Sequence, residues 1–196
     1  MVASEVMPIA WPAAMRVSHS STLCVSRVAA GPASGSERLL SPGDLGAWLA
    51  EHVGRIEPAD VAARDLADAL ILREALARLY VAAADALAYG ADDVDTINLF
   101  AATPDVPPAL AGGRRQAGAG RIRIAQTLST LAREAVGRLE EHGHGRVRRC
   151  AAEDCRLVFV DESRTGSRRW CSMQRCGNRA KVRAHRARSA QGGGHF

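Results

Sequence analysis

Several things are scarce in this chain of 196 residues, and each scarcity excludes something. Aromatic residues make up 4% of it, so a core must be built from Leu, Val, Ile and Ala. Lys181 is the only lysine, and all other basic charge is arginine. No apolar run reaches the length that crosses a bilayer. Met1 to Met15 lack the basic and apolar regions of a signal peptide, so a cytoplasmic, reducing setting is expected. In that setting clustered cysteines serve as metal ligands more often than as disulfides. No nucleophile–base pair, phosphate-binding loop or His-rich metal motif is present, so the chain does not read as an enzyme. Asp92, Asp93 and Asp95 read as a helix start, and the lone Cys24 as a core residue.

What is present is unevenly distributed. Residues 1–144 carry 13 Arg against 17 Asp and Glu, a net charge of −4, while residues 145–196 carry 13 Arg and Lys against four acids, a net of +9. A basic end on a mildly acidic body points to a polyanion as partner.

The apolar pattern predicts a mainly α chain with a little β (α+β). Residues 1–20 are proline-containing and without period, and read as a disordered tail. Leu23 to Val28 is a short strand candidate, and Gly31 to Ser36 a loop. Ser41, Pro42 and Asp44 form a helix start, followed by Leu45, Trp48 and Leu49 at helical spacing. A second helix is expected from Glu57-Pro58 to about Leu87, ended by Gly90, and a third from Asp92 to Ala101. Residues 110–120 read as a long loop or weak hairpin. A fourth helix runs from Ile122 to Leu139, with Ile124, Leu128, Leu131, Ala135 and Leu139 on one side. Glu140 to Gly145 reads as a linker. This gives a mostly helical domain over 21–143, a separate module over 145–188 and a disordered tail over 189–196.

The module carries the chemistry. Cys150, Cys155, Cys171 and Cys176 are spaced Cys-x4-Cys-x15-Cys-x4-Cys, two close pairs that can meet at one tetrahedral ion. Zinc takes four thiolates in closed structural sites and can fold a segment too short for its own core. The x4 spacing alone is moderately specific, and its context strengthens it. Leu157-Val158-Phe159-Val160 is a strand of a small hairpin, Ser163 to Ser167 a turn, and Trp170 a cover for the metal. Ser172 can cap a helix that carries Cys176. That order is the plan of a treble-clef-like finger holding one structural zinc. His142 and His144 lie nearby, but four cysteines suffice.

On an ideal helix Arg175, Arg179, Arg183 and Arg186 share a sector of roughly 80°, with Lys181 and Arg188 on a second polar stripe. Met173, Cys176, Ala180, Ala184 and Ala187 form an apolar seam expected to face the zinc. Together with Arg168 and Arg169 these cations make a candidate DNA surface, which Arg146, Arg148 and Arg149 enlarge. Some of them are equally suited to brace the finger, Arg179 above all.

The stretch from Trp170 to Lys181, with Cys171, Cys176, Gly177, Asn178 and Arg179 at its centre, resembles the CGNR zinc-finger signature. Cys150, Cys155, Leu157, Phe159, Asp161, Ser163 and Arg164 match it upstream. The resemblance implies zinc on the four cysteines, a DNA-binding role and an N-terminal ABATE domain of stress-induced transcription regulators. Glu37 to Leu49 and Leu72 to Leu79 resemble helices of that domain. Its usual Leu-Asp-Phe-Val-Asn-Thr segment is replaced within Leu23 to Val28, where the acidic and amide side chains are missing. No ligand site is therefore assigned to residues 21–142, and a homodimer and a small-molecule effector are left open. Two functions remain in competition: a zinc-finger DNA-binding transcription regulator, whose N-terminal domain senses or dimerises, and a zinc-stabilised module that docks protein or RNA.

Overall fold

The computed structural model describes residues 39–53, 56–106, 122–155 and 157–192. The expectations for residues 1–38, including Cys24 and the strand at Leu23 to Val28, and for the loop at 110–120 lie outside the described residues. Among the described residues the chain is mainly α with one small antiparallel sheet.

Helix α1 spans Pro42–His52 and starts as its sequence dictates. The Asp44 amide donates to Ser41 Oγ at 3.2 Å, and the Asp44 carboxylate accepts the Ser41 amide at 2.8 Å. This reciprocal arrangement satisfies amides that the first turn leaves without partners. Leu45 and Leu49 are buried.

Helix α2 spans Ala63–Ala84 and differs at both ends from the expected span. Pro58–Asp60 makes only one 3-10 turn, and Val61 and Ala62 are extended. The α-helix begins where the Asp65 carboxylate accepts the Ala62 amide at 2.7 Å. It ends because Ala86 adopts φ 54°, in the left-handed region. Gly90 does not terminate α2; it caps the start of α3, Ala91–Ala102.

Helix α4 spans Ile124–Arg146. Its expected stripe is correct: Ile124, Leu128, Leu131, Ala135 and Leu139 are all buried. Helices α2, α3 and α4 pack on one another in pairs. Charge and polar contacts fix their relative positions. Arg78 on α2 holds Asp93 in the first turn of α3 through both carboxylate oxygens, at 2.7 to 3.0 Å. Ser129 and Arg133 on α4 donate to the carbonyls of Thr103 and Ala101 at 2.6 and 2.9 Å, serving the free carbonyls at the end of α3.

Glu140 to Gly145, expected as a linker, is helical. Helix α4 continues through it and passes directly into strand β1, Val147–Arg149. Strand β2, Val158–Val160, pairs antiparallel with β1 in the register Val147↔Val160, Arg148↔Phe159 and Arg149↔Val158. Alternation along a strand sends successive side chains to opposite faces. Val147 and Val160 belong to the helical core, with Val158 packed against it, while Phe159 belongs to the cysteine cluster. The hairpin is thus shared by two cores.

Ion pairs reinforce this junction. Arg149 binds the Asp85 carboxylate at the end of α2 through two nitrogens, at 2.6 and 2.5 Å. Arg138 on α4 pairs with Glu162, just past β2. Arg146 Nη1 donates to the carbonyls of Asp161 and Ser163, at 3.2 and 2.6 Å. No helix among the described residues is long and apolar enough to cross a membrane.

Two predictions follow from this packing. A Cβ at Gly46 would lie 2.7 Å from the Pro58 Cα and 2.8 Å from its carbonyl oxygen, whereas one at Gly137 meets nothing within 4 Å. Gly46→Ala should destabilise the fold by about 1–3 kcal/mol through overpacking, and Gly137→Ala should stabilise it by about 0.5–1 kcal/mol. Denaturant melts check both, and equal signs would refute the Gly46–Pro58 contact. The second concerns pH. The hydrogen bond from Arg149 holds the Asp85 carboxyl below its usual range, although partial burial opposes the shift. The contribution of that pair is complete above about pH 3.9, the unfolded carboxylate value, and is lost as pH falls through the depressed folded value. In Arg149→Ala the Asp85 titration, followed by carboxylate NMR, should move up toward that ordinary value. An unmoved midpoint would refute the ion pair.

Candidate metal centre and nucleic-acid interface

The loop between β1 and β2 forms a knuckle. The Cys150 amide donates to the Leu157 carbonyl at 2.8 Å, and the Cys155 amide to the Ala152 carbonyl at 2.9 Å. These bonds turn both sulfurs of the first pair the same way. The second pair arrives on the other side. Ser172 Oγ accepts the Arg175 amide at 3.3 Å and caps one π-helical turn, Met173–Gly177, which carries Cys176 into helix α5, Asn178–Gly192.

The four Sγ atoms lie within 4.8 Å of one another. Cys155 and Cys171 are separated by 3.8 Å, and Cys171 and Cys176 by 3.6 Å. Thiolates about 2.3 Å from a tetrahedral zinc stand about 3.8 Å apart, so the donor set fits that ion. Burial and the neighbouring thiols push the Cys155 and Cys171 thiols up. Burial alone would raise Cys176 too, but the hydrogen bond from Arg179 and contacts with the other thiols bring it down. The site takes one structural zinc, which draws the four sulfurs together and leaves no position open for chemistry. Trp170 packs against the cluster beside Phe159 and Ala152, as its sequence position suggested.

Asp161 is the support that cysteine spacing does not reveal. It is fully buried. One of its oxygens accepts the Ser163 amide at 3.0 Å, and the other accepts the Arg168 amide at 2.8 Å. Burial works against its charge, but these hydrogen bonds hold the carboxyl below the usual range. The turn that delivers Cys171 is thereby tied to the end of β2.

The cations divide into two sets. Arg168 donates to the carbonyls of Trp170, at 2.9 Å, and Cys171, and lies over the Phe159 ring at 5.0 Å. Arg169 lies over the Trp170 ring at 4.9 Å. Arg179 reaches Cys176 Sγ at 3.3 Å and Asp154 at 2.9 Å. Arg183 also holds Asp154, at 2.9 Å. Arg146 and Arg149 are committed to the junction with the helical body, as described above. Arg175, Lys181, Arg186 and Arg188 are exposed. Bracing thus accounts for Arg168 and Arg179, the latter through a ligand sulfur.

The expected apolar seam of α5 ends early. Cys176 is buried and Ala180 half-buried, but Met173, Ala184 and Ala187 are exposed, as is every residue from Lys181 to Ser189. Helix α5 therefore stands away from the finger, and it continues to Gly192 through the start of the expected 189–196 tail.

A hairpin knuckle followed by a helix, with four thiolates between them, defines a zinc finger of treble-clef-like plan. Residues 146–189 match the CGNR zinc finger. Residues 21–142 match ABATE, described as "Putative stress-induced transcription regulator", and the chain belongs to that family. No curated protein matches the chain.

Metal analysis of the reduced protein should find about one zinc per chain. Chelation, or Cys171→Ser, should release it and unwind Met173–Gly177 with the start of α5, seen as a loss of helical circular dichroism. A metal-free, reduced protein with its full helical signal would refute a zinc-dependent finger.

Proposed function

We propose that this chain is a transcription regulator that binds double-stranded DNA by laying α5 in the major groove. The helical body then supplies sensing or dimerisation. The observation that carries this reading is the exposure of α5 on all sides from Lys181 to Ser189, with Arg175, Lys181, Arg186 and Arg188 exposed on or beside it. Its 15 residues extend about 22 Å, and a helix about 10–12 Å across fits a groove about 12 Å wide.

Arg175, Lys181, Arg186 and Arg188 are suited to phosphate contact, which supplies affinity without reading sequence. The zinc site sets the direction in which the helix leaves the finger. A docked protein partner would more naturally meet an apolar face, and α5 offers Val182, Ala184 and Ala187 among arginines. Duplex RNA has a deep, narrow major groove that excludes such a helix.

The test is an anisotropy titration of the zinc-loaded protein on duplex DNA at several salt concentrations. Binding should weaken steeply with salt. Lys181, Arg186 and Arg188 changed together to Ala should reduce the logarithmic salt slope by up to about three, since each phosphate contact contributes about 0.9. Zinc content and circular dichroism should stay unchanged. Equal affinity and slope in the triple variant would overturn the proposal.

A further inference from the structure

An acidic side chain sits in the middle of the basic surface. Asp154 lies in the knuckle between the first two zinc ligands, and one of its oxygens receives both Arg179 Nη1 and Arg183 Nη2, each at 2.9 Å. The other acids of the finger are occupied or turned elsewhere: Asp161 is buried and Glu162 pairs with Arg138, while Glu153 is exposed.

The two arginines are not equivalent. Arg179 is spent at both ends, with Nη2 on Cys176 Sγ at 3.3 Å and Nη1 on Asp154. Arg183 makes one such contact, and the two side chains are equally exposed, at 50% and 51%. A guanidinium offers five N–H donors in a rigid fork. The bond to Asp154 restricts that fork and uses one donor, which leaves enough N–H groups for a second, paired contact. Such a pair matches the O6 and N7 acceptors of guanine in the major groove. A carboxylate at this place also repels phosphate, which disfavours indiscriminate binding.

We propose that Asp154 and Arg183 are a base-reading pair, in which Arg183 hydrogen-bonds a guanine edge and Asp154 is the positioning residue that aims it. This rests on the DNA-binding reading and assigns it a specificity determinant. The line of contacts Cys176–Arg179–Asp154–Arg183 ties the orientation of the reader to the metal site.

The experiment uses the full, zinc-loaded chain as wild type, Asp154→Ala and Arg183→Lys. A motif is selected with the wild type from a random-sequence duplex pool. Affinities are then measured at one salt concentration on the selected duplex, on copies with single G·C pairs changed to A·T, and on a mixed-sequence duplex. For the wild type, one such change should weaken binding about tenfold. Both variants should lose that discrimination to within about twofold. Arg183→Lys keeps the charge without the fork, so its binding to mixed sequence should hold. Asp154→Ala should bind mixed sequence at least as tightly as wild type. Should Asp154→Ala fail to retain zinc, Arg183→Lys decides alone. Retention of the G·C preference in Arg183→Lys, or in a zinc-loaded Asp154→Ala, overturns the proposal, as does a selected motif in which no G·C pair matters. DNA binding with no enriched motif overturns this pair and leaves the DNA-binding reading standing. No DNA binding by any of the three proteins overturns both.

Discussion

The alternation of side chains along one short hairpin is the constraint on which the rest of the molecule depends. Strands of three residues have little stability of their own. Here each face of the pair is claimed by a different core. Val147, Val158 and Val160 enter the leucine-rich interior between the helices, and Phe159 enters the cysteine cluster. A shift of one residue in register would exchange the faces and leave both cores short. The zinc site and the helical body therefore fix the same six residues from opposite sides, and neither is an independent bead on a string. Direct continuation of α4 into β1 belongs to the same arrangement, because a free linker would lose the orientation that the shared hairpin provides.

Electrostatics then sorts an arginine-rich surface into parts that hold and parts that are free. Arg146, Arg149 and Arg138 fasten the hairpin and its flanking turn to the body. Arg168 and the buried Asp161 shape the turn that leads to Cys171. Arg179 lies against a ligand sulfur and helps to balance the negative charge of a tetrathiolate site. A net charge of +9 over residues 145–196 gives no hint of this division. Composition counts cations without showing which of them hold the fold.

Much of the architecture was legible because its signals are local. The cap at Ser41, the stripe of α4 and the two cysteine pairs each need only a few neighbouring residues to declare themselves, and each appears where the sequence places it. The readings that failed depend on longer range. Glu140 to Gly145 reads as a linker, yet the helix continues through it and passes directly into β1, whose register sets Val147 against Val160. Asp65 could claim the Ala62 amide only once Val61 and Ala62 were extended, so the start of α2 was misplaced by several residues. The seam through Met173, Ala184 and Ala187 needs a surface to cover it, and α5 meets none from Lys181 to Ser189. Asp154 carried no signal at all, since its partners Arg179 and Arg183 lie on a different element, distant in the sequence.

That last point bears on what zinc does in this protein. Cys155 follows Asp154 directly in the knuckle, and Cys176 lies three residues before Arg179 at the start of α5. Asp154 and Arg179 thus each lie within one helical turn of a metal ligand, and Arg183 lies one turn further along α5. Rotation of α5 about its axis would pull Arg179 from Cys176 and Arg183 from Asp154 together. Rotation is the freedom that a groove-bound helix must lose if the same side chains are to meet the same bases each time. The four-cysteine site joins the knuckle to the start of the helix, and Asp154 meets Arg183 across that junction.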